Sequence, residues 1–181
     1  VPCSAYDYVT LAEIYNQGRI DYIVPMPMNA RRLEEYVRAY DVDLAASLVA
    51  VDSGDNIPNG LGMLSMRGQR SWITRLGVNP ERRRRKTGAF LMHHLLEQAQ
   101  MRQAPQMQLE VIQDNAPAYQ LFRKIGFQET RRLLIIRRAP GKPGTGLLLP
   151  PETELKPMDE ARLADCCNHR PDSPSWIEEK A

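Results

Sequence analysis

"LGVNPERRRRKTGAFLMHHLL", residues 76–96, runs a strand-like Leu-Gly-Val through Asn-Pro into five consecutive basic side chains, then into an unbroken helical pattern. From residue 86 the helical spacing places Gly88, Leu91, Met92, Leu95, Leu96 and Ala99 on one face. A helix start is an anion site in embryo, because its first N–H groups lack partners and the helix dipole favours negative charge. The cations of Arg82 to Lys86 add Coulomb attraction. Gly88, in the first turn of the apolar face, permits close helix-to-strand packing and the close approach of a ligand. A solvated charge run and a nucleic-acid patch are the competing readings. No aromatic residue interleaves with "RRRRK" to stack bases, which argues against the latter.

Working outward, the chain reads as α/β. Upstream, Ser4 and Asp7 open a first helix that Gly18 closes, and Asn29 caps a second. "AASLVAVD" (45–52), "LGMLSMRG" (from 61) and "RSWITRLGV" (from 70) read as three strands joined by short links, an antiparallel meander. Gly77, inside the last of them, marks a bulge or a close backbone approach. Downstream, "QMQLEVI" (106–112) reads as a strand, "APAYQLFRKI" (116–125) as a short helix capped by Asn115, and "RRLLIIRR" (131–138) as a last strand. The order predicts a mixed sheet with helices on both sides over residues 1–138.

Composition excludes several classes. The 181 residues carry 24 basic and 22 acidic side chains, a formal charge of +2, so any basic function is local. The apolar stretches fall short of the roughly 20 residues of a membrane span, and no signal peptide is evident. Three cysteines give neither a disulfide framework nor a spaced metal quartet, and adjacent His93 and His94 point apart on their helix. The chain is therefore read as cytoplasmic and metal-free. Residues 139–181 read as linker and tail. "LADCCN" at 163–168 echoes "LAEIYN" at 11–16, which is either chance or the opening of a second, truncated copy of the fold.

Spacing carries the reading to a family. Val78, Pro80, Arg83, Gly88 and Leu91 resemble the acetyl-CoA signature of the GNAT superfamily of N-acetyltransferases, a V-x-P followed by Q/R-x-x-G-x-G/A. Leu109, Val111, Asn115, Ala118, Leu121, Lys124, Gly126 and Phe127 resemble its second signature, L-x-V, N-x-x-A and L-Y-x-K-x-G-F. The resemblance implies a largely antiparallel sheet splayed between the family's fourth and fifth strands. It further implies an acetyl-CoA pyrophosphate held across Arg83, Arg84, Arg85, Lys86, Thr87, Gly88 and Ala89, and a pantetheine arm paired beside Leu76, Gly77 and Val78. An N–H near Leu76 or Gly77 would hold the thioester oxygen. Asn115, Ala118 and Phe122 complete the expected cofactor contacts, and Tyr22 and Met26 the acceptor pocket.

Three positions depart from the pattern. Lys86 and Arg84 stand where glycines are favoured, at a cost of about 1–2 kcal/mol wherever φ is positive. Phe122 replaces the tyrosine that in many members protonates the thiolate, leaving Tyr119, one turn earlier, as the substitute. The family's fourth strand here carries no carboxylate, so Glu110 becomes the candidate base, whose task is large: neutralising a lysine-like amine at pH 7 costs about 4.6 kcal/mol in water. The expected activity is direct acetyl transfer from acetyl-CoA to a primary amine of a small molecule or peptide; the alternative is a non-catalytic acyl-CoA-binding half of a two-domain protein. Nucleic-acid and membrane partners are not expected, and the sequence leaves a homodimer open.

Overall fold

The computed structural model describes residues 1–136, 139–141, 152–154, 156–169, 171 and 175–176. Two compact units divide the chain after Gln128.

In the first unit, helix α1 (Tyr8–Gly18) starts where Asp7 accepts the Thr10 amide at 2.7 Å, and helix α2 (Ala30–Ala39) where Asn29 accepts that of Arg32 at 2.9 Å. Short polar side chains at these positions satisfy amides that the first turn leaves unpaired. The sheet follows: β1 (Val42–Val51), β2 (Pro58–Arg67) and β3 (Arg70–Val78) are consecutive antiparallel neighbours. After the long helix α3 (Thr87–Met101), the short β4 (Gln106–Leu109) joins β3 in parallel, and α4 (Ala116–Ile125) closes at Gly126, whose φ of 109° lies outside the ordinary range of other residues. The order β1-β2-β3-β4 is a mixed, largely antiparallel sheet.

Helices α1 and α2 pack against the sheet on one side of the core and α3 on the other. Leu91, Met92, Leu95 and Ala99 of α3 are buried, with Ala46, Leu64, Ile73 and Phe122 in the same apolar cluster or beside it. Leu11, Ala12, Ile14 and Tyr15 line the buried side of α1, and Leu33 and Tyr36 that of α2.

The expected last strand (131–138) is not seen among the described residues. Residues 131–136 belong to no strand ladder among the described residues, and Leu134, Ile135 and Ile136 are 79–85% exposed. A strand exists only where a neighbour takes its hydrogen bonds, and the unbroken Leu-Leu-Ile-Ile run lacks the alternation that would assign it a face. Arg137 and Arg138 lie outside the described residues. In the second unit, helix α5 (Glu160–Asn168) is capped by Asp159, which accepts the Arg162 amide at 2.8 Å.

Candidate functional site

The site is organised by β3, which meets two different neighbours. On the β2 side Leu61 pairs with Gly77 but Met63 with Thr74, so Gly62 faces both Arg75 and Leu76. The bulge thus falls at Arg75, where φ is 51°, two residues before the glycine that the sequence suggested. Gly77 answers a different demand, close approach: a methyl there would stand 3.2 Å from the Gly18 carbonyl oxygen. On the β4 side pairing runs only from Arg70–Gln106 to Ile73–Leu109. Beyond it the two strands share no ladder among the described residues, so the edge of Thr74 to Val78, with Leu76, Gly77 and Val78 expected to contact the cofactor, has no β4 partner.

At the end of β3 a 3-10 turn (Pro80–Arg82), capped by Asn79, leads into the basic loop. Arg84 and Lys86 both adopt φ of 65°, the left-handed conformation that costs a side-chain-bearing residue about 1–2 kcal/mol. The demand for positive φ at the two glycine positions is therefore real, and here a cation stands at each. Lys86 is also the N-cap of α3 and offers no side-chain hydrogen bond, so the Thr87, Gly88 and Ala89 amides open the helix without the Asp or Asn cap that the other α-helices carry. Left-handed residues set before such a helix, with an extended Arg83 ahead of them, make the kind of turn in which backbone N–H groups can converge on an anion. Gly88 lets α3 seat closely: its missing methyl would lie 3.3 Å from Leu121 Cδ2 and 3.9 Å from Val78 Cγ2. These residues fit a diphosphate.

The arginines divide the work. Arg82 binds Asp55 at 2.6 Å and Asp52 at 3.3 Å, and Arg85 reaches Asp52 at 3.7 Å. Arg83 donates to both oxygens of Asp21 at 2.6 Å and, through Nε, to the Val78 carbonyl at 2.9 Å, tying the basic loop to the α1–α2 connection and to β3. Arg84 and Lys86 make no ion pair among the described residues and are exposed. The Arg83 hydrogen bonds hold the Asp21 carboxyl below its ordinary pKa. A depressed carboxylate contributes stability above its unfolded pKa and loses it as pH falls through the folded one. Acidification below about pH 4 is therefore expected to release this clamp at a cost under about 1 kcal/mol, since the pair is exposed. Thermal melts of Asp21→Asn should lose less on acidification than those of the unaltered protein.

On α4, Asn115 caps the helix through the Ala118 amide at 3.3 Å, and Ala118 is half-buried against the core. Phe122 is 7% exposed and packs edge-on against Phe127, inside the core. Tyr119 is 39% exposed, and Glu110 is exposed immediately beyond β4.

The region of Tyr22 and Met26 holds residues that the sequence reading missed. Asn16 clamps Met28 through two backbone hydrogen bonds of 2.8 and 2.9 Å, fixing the α1–α2 connection. Within it, Tyr22 lies under the Arg19 guanidinium at 3.4 Å from the ring centre, and the Arg19 stem packs 3.2 Å from where a Gly77 methyl would be. Met26 lines a depression of about 460 Å³ beside α2, with Arg32, Tyr36 and Tyr40. Tyr36 reaches from this depression to Thr74, hydroxyl to hydroxyl at 2.5 Å. Burial pushes its phenol up to about 12 against the opposing pull of Arg75, so it stays neutral at physiological pH. The missed signal was the Thr-Arg pair interrupting an apolar strand. Among the described residues no group of three or more His, Cys, Asp or Glu gathers to hold a metal, and no helix is long and apolar enough to cross a membrane.

The sequence matches the Acetyltransferase (GNAT) family over residues 11–127. No curated protein matches it. Among solved structures, the ribosomal-protein-S18-alanine N-acetyltransferase of Escherichia coli is similar at a TM-score of 0.55 and 17% identity, over 68% of this chain and 73% of that one. The PaiA N-acetyltransferase of Thermoplasma acidophilum, solved in complex with coenzyme A, gives 0.55 and 21% over 67% and 84%. A probable acetyltransferase gives 0.57 and 20% over 74% and 93%.

Proposed function

The chain belongs to the acetyltransferase (GNAT) family, and from that premise we propose that it moves an acetyl group from acetyl-CoA directly to a primary amine. The observation that carries this reading is the pair of left-handed residues, Arg84 and Lys86, leading into the uncapped start of α3 beside the open edge of β3. Strain of this kind persists where surrounding structure and function demand it.

In this reading the amides from Arg83 to Ala89 bind the diphosphate, with Arg84 and Lys86 supplying the uncommitted charge. Arg85, shared with Asp52, and Arg83, held by Asp21, shape the loop. The edge of Leu76 to Val78 pairs with the pantetheine amides, and Asn115 and Ala118 form the opposite wall. Acetyl-CoA supplies the activated acyl group. An N–H of Leu76 or Gly77 donates a hydrogen bond to the developing oxyanion. Glu110 assists removal of the amine proton, through water, and Tyr119 protonates the departing thiolate; Phe122 serves packing. Tyr22 and Met26 flank the acceptor's approach, and a small-molecule or peptide amine is the acceptor class.

A second reading rests on Phe122, buried where a tyrosine acid would stand: a half that binds acyl-CoA without turning it over. A related observation concerns α5. Its cap Asp159 precedes Leu163-Ala164-Asp165 by the same four residues that separate Asp7 from Leu11-Ala12-Glu13 in α1. We propose that residues 139–181 are linker and tail, with α5 opening a truncated second copy of the fold.

Coenzyme A at 100 times its dissociation constant is expected to stabilise the full chain by about 2.7 kcal/mol, several degrees in Tm. Thiol release from acetyl-CoA in an amine panel then separates the two readings: catalysis gives release, the binding half gives the shift alone. No shift at all would sink both.

A further inference from the structure

The partly buried arginines of the first unit mostly find carboxylates: Arg67 binds Asp41 at 2.7 Å, Arg82 binds Asp55 at 2.6 Å and Arg102 binds Asp43 at 2.9 Å. Arg75 does not. Among the described residues it has no acidic partner; its Nε is buried without an acceptor, and its Nη1 makes one long bond of 3.3 Å to the Tyr15 hydroxyl. The guanidinium lies 4.0 Å from the Tyr36 ring centre and 5.5 Å from that of Tyr15.

The bulge explains how the side chain comes to be there. Strand residues alternate between faces, but the extra residue opposite Gly62 breaks the alternation. Thr74 reaches Tyr36 of α2 and Arg75 lies against Tyr15 and Tyr36 on that same face, whereas Leu76 turns to the α3 side, where its Cδ1 and that of Leu95 crowd Gly62. A second cation shares the place. Arg19, also without an ion pair among the described residues, lies 5.4 Å from the Tyr15 ring centre and packs its stem on Gly77. Two guanidiniums thus flank one tyrosine, and neither is in an ion pair among the described residues. A buried N–H without an acceptor is rare enough in folded proteins to require an explanation, and a planar donor fork is built to take a carboxylate on two bonds.

We propose that Arg75, with Arg19, binds a carboxylate carried by the acceptor, so that the acceptor joins an amine and a carboxylate in one small molecule, as an amino acid does. The proposal rests on the acetyl-transfer reading and deepens it. The carboxylate anchors at the bulge, and the amine projects along β3 toward Gly77. The same cations disfavour a bound ammonium, easing release of the amine proton on a strand that carries no carboxylate.

The test uses the full chain with acetyl-CoA and matched pairs: glycine with glycinamide, and 6-aminohexanoate with 6-aminohexanamide. For at least one pair the acid is expected to exceed the amide at least about tenfold in kcat/KM. Arg75→Gln should abolish that preference while leaving the CoA-induced melting shift unchanged; Arg19→Gln should weaken it and replaces Arg75→Gln as the test if the latter does not fold. Equal or faster reaction of both amides, or a preference that survives Arg75→Gln, overturns the proposal. If no amine reacts, calorimetry of the two acids with the CoA-loaded protein decides it: binding lost in Arg75→Gln supports it and absence of binding overturns it. Failure of CoA itself to shift melting removes the acetyl-transfer reading instead, and the same calorimetry on the unloaded protein still reads the carboxylate site.

Discussion

Leu91→Ala is expected to lower the free energy of unfolding by about 2–5 kcal/mol, among the largest effects available in this chain. Leu91 is fully buried on α3 and forms a cluster with Leu48 and Ala50 of β1, against which Leu76 and Val78 of β3 also pack. Across from it stands Gly62, whose absent methyl would meet Leu91 Cβ at 3.8 Å. Gly62 brings no side chain of its own to fill the space a truncated Leu91 vacates, and the Leu76 and Leu95 tips that crowd it can refill only part of the cavity, so a cost within this range applies. In the proposed reading Leu76 and Val78 also border the pantetheine arm, so losing their support should weaken coenzyme A binding as well. Urea unfolding of the variant checks the first effect; a change under 1 kcal/mol would mean that α3 collapses onto the sheet and that the packing described is wrong.

Coenzyme A affinity is expected to fall at least about a hundredfold in Gly88→Val, equivalent to about 2.7 kcal/mol of binding energy, while Gly88→Ala separates binding from folding. The alanine methyl meets Leu121 Cδ2 at 3.3 Å, the flexible tip of a half-buried side chain, and the gain in helix propensity over glycine is up to about 1 kcal/mol. Its stability should therefore be nearly unchanged. Its surface near the Thr87 and Ala89 amides is nonetheless altered, so affinity should drop by a smaller factor. The valine adds branched atoms to a place with room for none, between α3, Val78 and α4. Calorimetric titration with coenzyme A, next to melting curves of both variants, gives the answer. Undiminished affinity in Gly88→Val would remove the diphosphate from the start of α3.

How far the sequence could be read depended on whether a feature is local. Asn29 and Asn115 were legible as caps because a cap is decided within three residues, and each accepts the amide expected of it; the start read at Ser4 with Asp7 falls at Asp7, Ser4 lying in a 3-10 turn before it. The alternation of antiparallel strands and the long apolar face of α3 were legible for the same reason. Of the two readings of Gly77, close approach is the one met, here to Gly18, while the bulge lies two residues earlier, because register is settled only by the partner strand. The cationic cluster was not legible at all: Tyr15, Arg19, Tyr36 and Arg75 come from three elements and the end of one of them, and each alone looks like an ordinary packed aromatic or a surface arginine. Likewise Asp21 and Arg83 meet across 62 positions. The Leu-Leu-Ile-Ile run at 133–136 misled in the opposite sense, since β propensity names a segment fit to be a strand but supplies no neighbour for it.

The ion pairs of the basic loop change what the five cations amount to at a distance. Asp21, Asp52 and Asp55 stand against Arg83, Arg82 and Arg85, leaving Arg84 and Lys86 uncompensated. Seen from beyond a Debye length the run carries roughly two charges, and a polyanion laid along it would displace few counterions, with a log–log salt slope near about −2 rather than one near −5. The loop is thus poor as a general polyelectrolyte grip, and its remaining field is concentrated at its two left-handed backbone positions.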